Sequence, residues 1–243
     1  MNLDWVVLVT NVEHFVGKPA AIELAAQGAT VVCHDTSFVD ASVAETYIAA
    51  HPELNITRAQ QPKEIIEDVV KTQGHIDVMI CNDGGAAVRA PIESAMTDDL
   101  RSALEEMVVF PFEMARAVVP QMKCRKSGKI LFITSATPMR GLPNYSIYVT
   151  ARGATNALAV SLAQELGRDN IQVNAIAPNY VESSTYFPPE LVNDAQALAK
   201  MIRNIPLKRL GKPEEIAALI AFYASDQSNF ITGQVTPFAG GWA

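Results

Sequence analysis

The chain reads as one α/β domain spanning 1–243, a doubly wound parallel sheet flanked by helices. Three observations predict this class. Short runs rich in Val and Ile alternate with longer Ala-rich or amphipathic stretches from one end to the other. The short runs are apolar at nearly every position, as in Trp5-Val-Val-Leu-Val-Thr10 and Lys129-Ile-Leu-Phe-Ile-Thr134, so both faces of those strands are covered. The chain also opens as strand, loop and helix, the order with which nucleotide-binding sheets begin.

Taken in order, the strand Trp5–Thr10 leads through the loop Asn11-Val-Glu-His-Phe-Val-Gly17 into a helix, Pro19–Gln27. Proline opens that helix and Gly28 closes it. A second strand, Thr30–His34, ends at Asp35, a turn or capping residue. His14 and His34 read as packing residues. Helices follow over Val39–Ala50 and Lys63–Thr72, stopped by His51-Pro52 and Gly74. Ile76–Cys81 is a strand that runs into Asn82-Asp-Gly-Gly85. Thr97–Met122 reads as one long helix containing Pro111. Lys129–Thr134 is a strand, and Tyr148–Gly167 an Ala-rich helix. Ile171–Ala177 is a strand ending in Pro178-Asn-Tyr-Val181. Helices over Leu191–Ile202 and Pro213–Ser225 follow.

Composition narrows the function classes. The chain is 49% hydrophobic and 19% charged, ordinary for a globular domain. A net charge of −7 argues against nucleic-acid or anionic-membrane partners, which want a basic surface. Cys33, Cys81 and Cys124 are far apart and no metal-ligand spacing occurs. No metal is expected, and a reducing cytoplasm is the simplest compartment. The opening Met-Asn-Leu-Asp-Trp5 has no cationic segment, and no stretch is long enough to span a membrane.

The chemistry concentrates in Ser135–Arg152. Ser135 stands at the C-terminal end of a strand, and Tyr148 and Arg152 lie four apart on a helix, sharing one face. A permanently charged guanidinium beside a phenol favours the phenolate. A hydroxyl at the strand end can hold a substrate oxygen for that phenolate to deprotonate. The pattern describes a Ser/Tyr/Arg acid–base site.

This arrangement resembles the short-chain dehydrogenase/reductase family, whose site is Ser followed about a dozen residues later by Tyr-x-x-x-Lys on a Rossmann-like sheet. Here Arg152 takes the place of the lysine, which in that family also holds the nicotinamide ribose. Keeping Ser and Tyr with Arg resembles the halohydrin dehalogenases, a cofactor-free offshoot. Three further departures point the same way. The family's Thr-Gly-x-x-x-Gly-x-Gly loop retains Thr10 and Gly17, but its first two glycines are Asn11 and Phe15. Those glycines let backbone approach a pyrophosphate, and a phenylalanine occupies that space. No asparagine lies near Met107, where the family's helix carries one. Asn179-Tyr180 replaces the glycine of the Pro-Gly that leads to the nicotinamide amide.

The resemblance implies that Asp83 supports Arg152, and that Phe15, Pro178, Asn179, Tyr180 and Val181 form a halide pocket. A large, weakly hydrated halide suits aromatic edges and backbone N–H donors. By position, Thr137, Leu142, Asn144, Tyr145, Ala87 and Arg89 belong to the substrate wall. The reaction implied is halide displacement from vicinal haloalcohols to give epoxides. Its reverse would accept azide, cyanide or nitrite. No cofactor and a homotetramer are implied as well. Two other readings stand beside this one: an NAD(P)-dependent reductase with lysine replaced by arginine, keeping NAD through Asp35, and a non-catalytic scaffold.

Overall fold

The computed structural model describes residues 5–183, 186–187 and 192–243. Seven strands form one sheet: β1 Val6–Val9, β2 Thr30–His34, β3 Asn55–Thr57, β4 Val78–Cys81, β5 Gly128–Ile133, β6 Ile171–Pro178 and β7 Val235–Phe238. Their order is β3-β2-β1-β4-β5-β6-β7, and each neighbouring pair is parallel. The predicted doubly wound sheet is therefore the observed one. The order reverses between β1 and β4, and in open parallel sheets ligands bind at the strand ends beside such a switch.

Both faces of the strands are buried, which accounts for their unbroken apolar composition. Val7, Val9, Val31, Ile80 and Leu131 pack beneath α1 (Gly17–Ala26) and the helix Pro213–Ala224. Leu8, Val32, Met79, Ile130 and Phe132 pack on the other side, against α3 (Pro62–Gln73), α5 (Phe110–Arg125) and α7 (Ser146–Leu166). α2 spans Ala41–Ala50, behind a short 3-10 turn at Thr36–Val39, so the helix expected from Val39 starts later.

Three elements differ from expectation. β3 is new: three residues at the sheet edge, too short and polar to carry a periodic signal. The long helix is broken into α4 (Thr97–Leu104), a π turn at Glu105–Val109, and α5. Pro111 explains the break, because it has no N–H to give the Met107 carbonyl one turn back. That carbonyl instead accepts from the Thr155 hydroxyl of α7 at 2.5 Å. A four-residue helix, α6 (Thr137–Arg140), also lies between β5 and α7. Of the helix expected over Leu191–Ile202, Ala195–Ile202 is observed, capped by the Asp194 side chain; Leu191 lies outside the described residues.

Candidate active site

The C-terminal ends of β1, β4, β5 and β6 meet at the switch in strand order, and α7 lays its first turns across them. Ser135 follows β5 and is buried. Its hydroxyl shares a 3.0 Å hydrogen bond with that of Thr137 and accepts from the Thr137 N–H at 3.1 Å, so α6 fixes its rotamer. Tyr148 and Arg152 sit on one face of α7. The guanidinium carbon lies 5.3 Å from the centre of the Tyr148 ring.

Arg152 is only 3% exposed, and main chain holds it there. Its Nη1 donates to the carbonyls of Asp83 at 2.8 Å and Ile133 at 3.2 Å. Burial alone would lower the basicity of the group. The facing phenols Tyr148 and Tyr186 outweigh it, so the guanidinium is held charged more firmly than usual.

Asp83 acts on Arg152 differently from the sequence expectation. Its backbone carbonyl, not its carboxylate, bonds the arginine. The carboxylate turns back to the β1 loop, where Oδ1 accepts from Thr10 Oγ1 at 2.8 Å and Asn11 Nδ2 at 2.6 Å. Oδ2 is buried and has no partner among the described residues. Burial pushes the Asp83 carboxyl up to about 6, against the pull of those two donors and the Arg152 charge.

The β1 loop keeps a glycine-like path without the glycines. Asn11 and Phe15 both lie in the left-handed region, at φ 45° and 49°. The Asn82 amide pins them by donating to the carbonyls of Asn11 at 2.9 Å and His14 at 2.6 Å. Gly17 is required by contact, since a Cβ there would lie 2.6 Å from the Val12 carbonyl oxygen. Tyr180, after β6, is left-handed too, at φ 58°. Such values in bulky residues mark strain held by the surroundings, and here both rings face the site.

A cavity of about 750 Å³ opens among these groups. Ser135, Tyr148 and Arg152 line one wall, and Phe15, Pro178, Asn179, Tyr180 and Val181 also line it. Thr137, Leu142, Tyr145 and Ala87 line it as well. Asn144 and Arg89 do not. Asn144 makes a left-handed turn at φ 67° and uses its carbonyl to accept from the Ala90 N–H at 2.9 Å, tying two loops together. Arg89 is exposed in the loop so tied.

Residues beyond the expected set complete the wall. Tyr186 packs edge-on against Phe15 at 5.3 Å and His14 at 5.7 Å, and Phe187 tilts against Tyr180 at 5.9 Å. The adjacent aromatic pair Tyr186-Phe187, downstream of Pro178-Asn-Tyr180, was the available signal. His14, read as packing, lies on the cavity wall. Burial and then the Arg152 charge lower its basicity. Tyr180 is braced from behind by Trp242, edge-on at 5.7 Å. Arg140 in turn lies over the Trp242 ring and donates to its carbonyl at 2.8 Å.

A nicotinamide dinucleotide does not fit this frame. Phe15, in the loop that would cradle the pyrophosphate, reaches across to Tyr186, and the left-handed Tyr180 lines the same cavity. Asp35, the residue that would take the ribose, has both carboxylate oxygens engaged: Oδ1 accepts from Ser37 N and Oγ, and Oδ2 from Glu13 N. It caps the 3-10 turn. Among the described residues no group of three or more His, Cys, Asp or Glu could hold a metal ion, and no helix is long and apolar enough to cross a membrane.

Sheet order, glycine-shaped loop and Ser–Tyr pair define the class: the chain belongs to the short-chain dehydrogenase/reductase family. It matches the family profile described as enoyl-(acyl carrier protein) reductase over residues 13–243. It is 33% identical to a 3-oxoacyl-[acyl-carrier-protein] reductase of Thermotoga maritima, across 97% of this chain and 96% of that protein. Within the family the likeness sharpens among solved structures. One described as a dehalogenation enzyme is 49% identical with a TM-score of 0.96, covering 99% of this chain and 98% of that one. A halohydrin dehalogenase, HheC, bound to ethyl (2S)-oxiran-2-ylacetate, is 40% identical with a TM-score of 0.94, covering 97% and 96%.

Proposed function

We propose that this chain is a halohydrin dehalogenase, converting vicinal haloalcohols reversibly to epoxides with release of halide and a proton. The observation that carries this reading is Arg152, buried under Tyr148 in the place of a cofactor-binding lysine, at a cavity whose wall carries the aromatic rings of Phe15 and Tyr180. The 49% and 40% identities to a dehalogenation enzyme and a halohydrin dehalogenase support it.

In this mechanism Ser135 and Tyr148 hydrogen-bond the substrate hydroxyl. Tyr148, facing the Arg152 charge, takes the proton. The alkoxide oxygen forms a bond to the neighbouring carbon as the carbon–halogen bond breaks, and halide leaves with the bonding pair. Holding the two bonds anti supplies the orientation term. The departing halide meets the edges of Phe15 and Tyr180 and the main chain at Pro178–Val181 rather than a full positive charge. No hydride moves, so the reaction calls for no nicotinamide. Run backward, the pocket would let azide, cyanide or nitrite open an epoxide.

We infer a homotetramer as the working form, built through the α5 and α7 faces, and a cytoplasmic location. Val109 and Phe112 near the start of α5 are exposed and lie along one apolar groove with Ala157 and Leu158 of α7. Asp83 acts as the supporting residue by setting Arg152 through its carbonyl.

The test uses cofactor-free protein and 1,3-dichloro-2-propanol in weak buffer. Chloride and acid are expected to appear one for one, with no binding of NADH or NADPH. Tyr148→Phe and Arg152→Ala are each expected to lower the rate at least about a thousandfold, since each removes part of the base. Tight NADH binding with no chloride release would overturn the reading in favour of a reductase.

A further inference from the structure

Among the described residues, Tyr186 is the phenol that interacts with both Tyr148 and Arg152 and that the mechanism above leaves unused. Its ring is fixed by Phe15 and His14, so the hydroxyl is aimed rather than free. That hydroxyl is buried and has no hydrogen-bond partner among the described residues. The Nε of Arg152, which can only donate, is buried and unpartnered as well. Both groups interact electrostatically with Tyr148 and with each other. A buried donor with no acceptor is costly in a resting site. It has a purpose when an acceptor forms during turnover, and the phenolate oxygen of Tyr148 is such an acceptor.

We propose that Tyr186 is a positioning residue of the acid–base site, its hydroxyl accepting from Arg152 Nε–H and donating to the Tyr148 phenolate. This rests on the acid–base reading of Ser135, Tyr148 and Arg152. The bridge stabilises the ionised form of the base and leaves its protonated form unaided. It also assigns the two phenols different tasks. Burial and then the neighbouring Tyr148 push the Tyr186 phenol up to about 12, so it keeps its proton while Tyr148 exchanges one with substrate.

Among the described residues the ionisable groups around this pair are Tyr148 and Arg152 of α7, His14 of the β1 loop, its basicity lowered by burial, Asp83 after β4, pushed up to about 6, and the cavity-lining Tyr145 and Tyr180. Asp83 is the group that could imitate the effect, because it titrates where an acid limb falls. The experiment therefore compares Tyr186→Phe with the parent both in the wild-type chain and in Asp83→Asn.

The pH dependence of chloride release from 1,3-dichloro-2-propanol is measured in all four proteins. Loss of one hydrogen bond to a charged group should move the acid limb upward by about one pH unit in both backgrounds. The plateau rate at high pH should stay within about twofold, because the base is the same once ionised. A uniform loss at every pH, an unmoved limb or a change in KM alone would overturn the proposal. Tyr186→Phe removes only an unpartnered oxygen, so folding should survive.

A second readout needs no turnover. Near-ultraviolet titration of the wild type should show a phenolate that disappears in Tyr148→Phe and forms while Tyr186 stays protonated. Two phenols ionising together would overturn the bridge. If chloride release fails altogether, the dehalogenase reading falls, and this titration still decides whether Tyr186 supports the phenolate.

Discussion

Single residues set the chemistry here, and several do so against their own preferences. Phe15 adopts a backbone shape that glycine takes freely, at a cost on the order of 1–2 kcal/mol. Phe15→Gly returns that cost while losing the ring. The melting temperature is therefore expected to stay within a few degrees, with halide affinity falling about tenfold or more, read from chloride inhibition of turnover. Asp83 is the second case. Its carboxyl is raised in the fold from an ordinary 3.8 to about 6. The unfolded chain releases this proton near pH 4, while the folded chain keeps it to about pH 6. Stability contributed by the protonated group is thus lost as pH rises through that window, on the order of 2–3 kcal/mol, and stays lost above it. Asp83→Asn should flatten this fall, measured by urea unfolding at a series of pH values. Ser135, Tyr148 and Arg152 were legible because their spacing is local: a strand end, then one face of one helix. Tyr186 was not, since its approach to Arg152 depends on the course of the segment after β6. Asn144 and Arg89 were placed by position alone, and the turn at Asn144 carries them off the cavity.

Elements were legible where burial writes a pattern. The continuous apolar runs gave five of the seven strands, while β3, polar and at the edge, left no trace, and β7, half exposed and interrupted by Pro237, carries no such run. Pro111 was visible in the sequence, but its consequence depends on what lies opposite. α7 brings Thr155 against the carbonyl that the proline cannot satisfy, and the helix widens to a π turn instead of ending. Thr155→Val would leave that buried carbonyl bare and cost about 1–3 kcal/mol. Thermal melting should fall by several degrees. Turnover should change less than about twofold, because Thr155 follows Arg152 along α7 by about one turn and does not line the cavity.

At the scale of the whole molecule, the parallel sheet gathers four strand ends at one edge, and the reactive groups need no domain closure to meet. Its outer surface is less self-sufficient. Val109 and Phe112 lie exposed on the α5 and α7 side, and a charge there should prevent assembly. Phe112→Glu is expected to scatter light as dimers or monomers, and the wild type as the tetramer proposed above. The aromatic-lined groove has a consequence beyond the catalytic step. Relatives that borrow a nicotinamide tie their flux to the supply of that carrier and to how much of it is reduced. On the function proposed here, a molecule that lines the same groove with Phe15 and Tyr180 draws on no shared currency. Its direction would be set by haloalcohol, epoxide, halide and acidity, and would not follow the redox state of the cell.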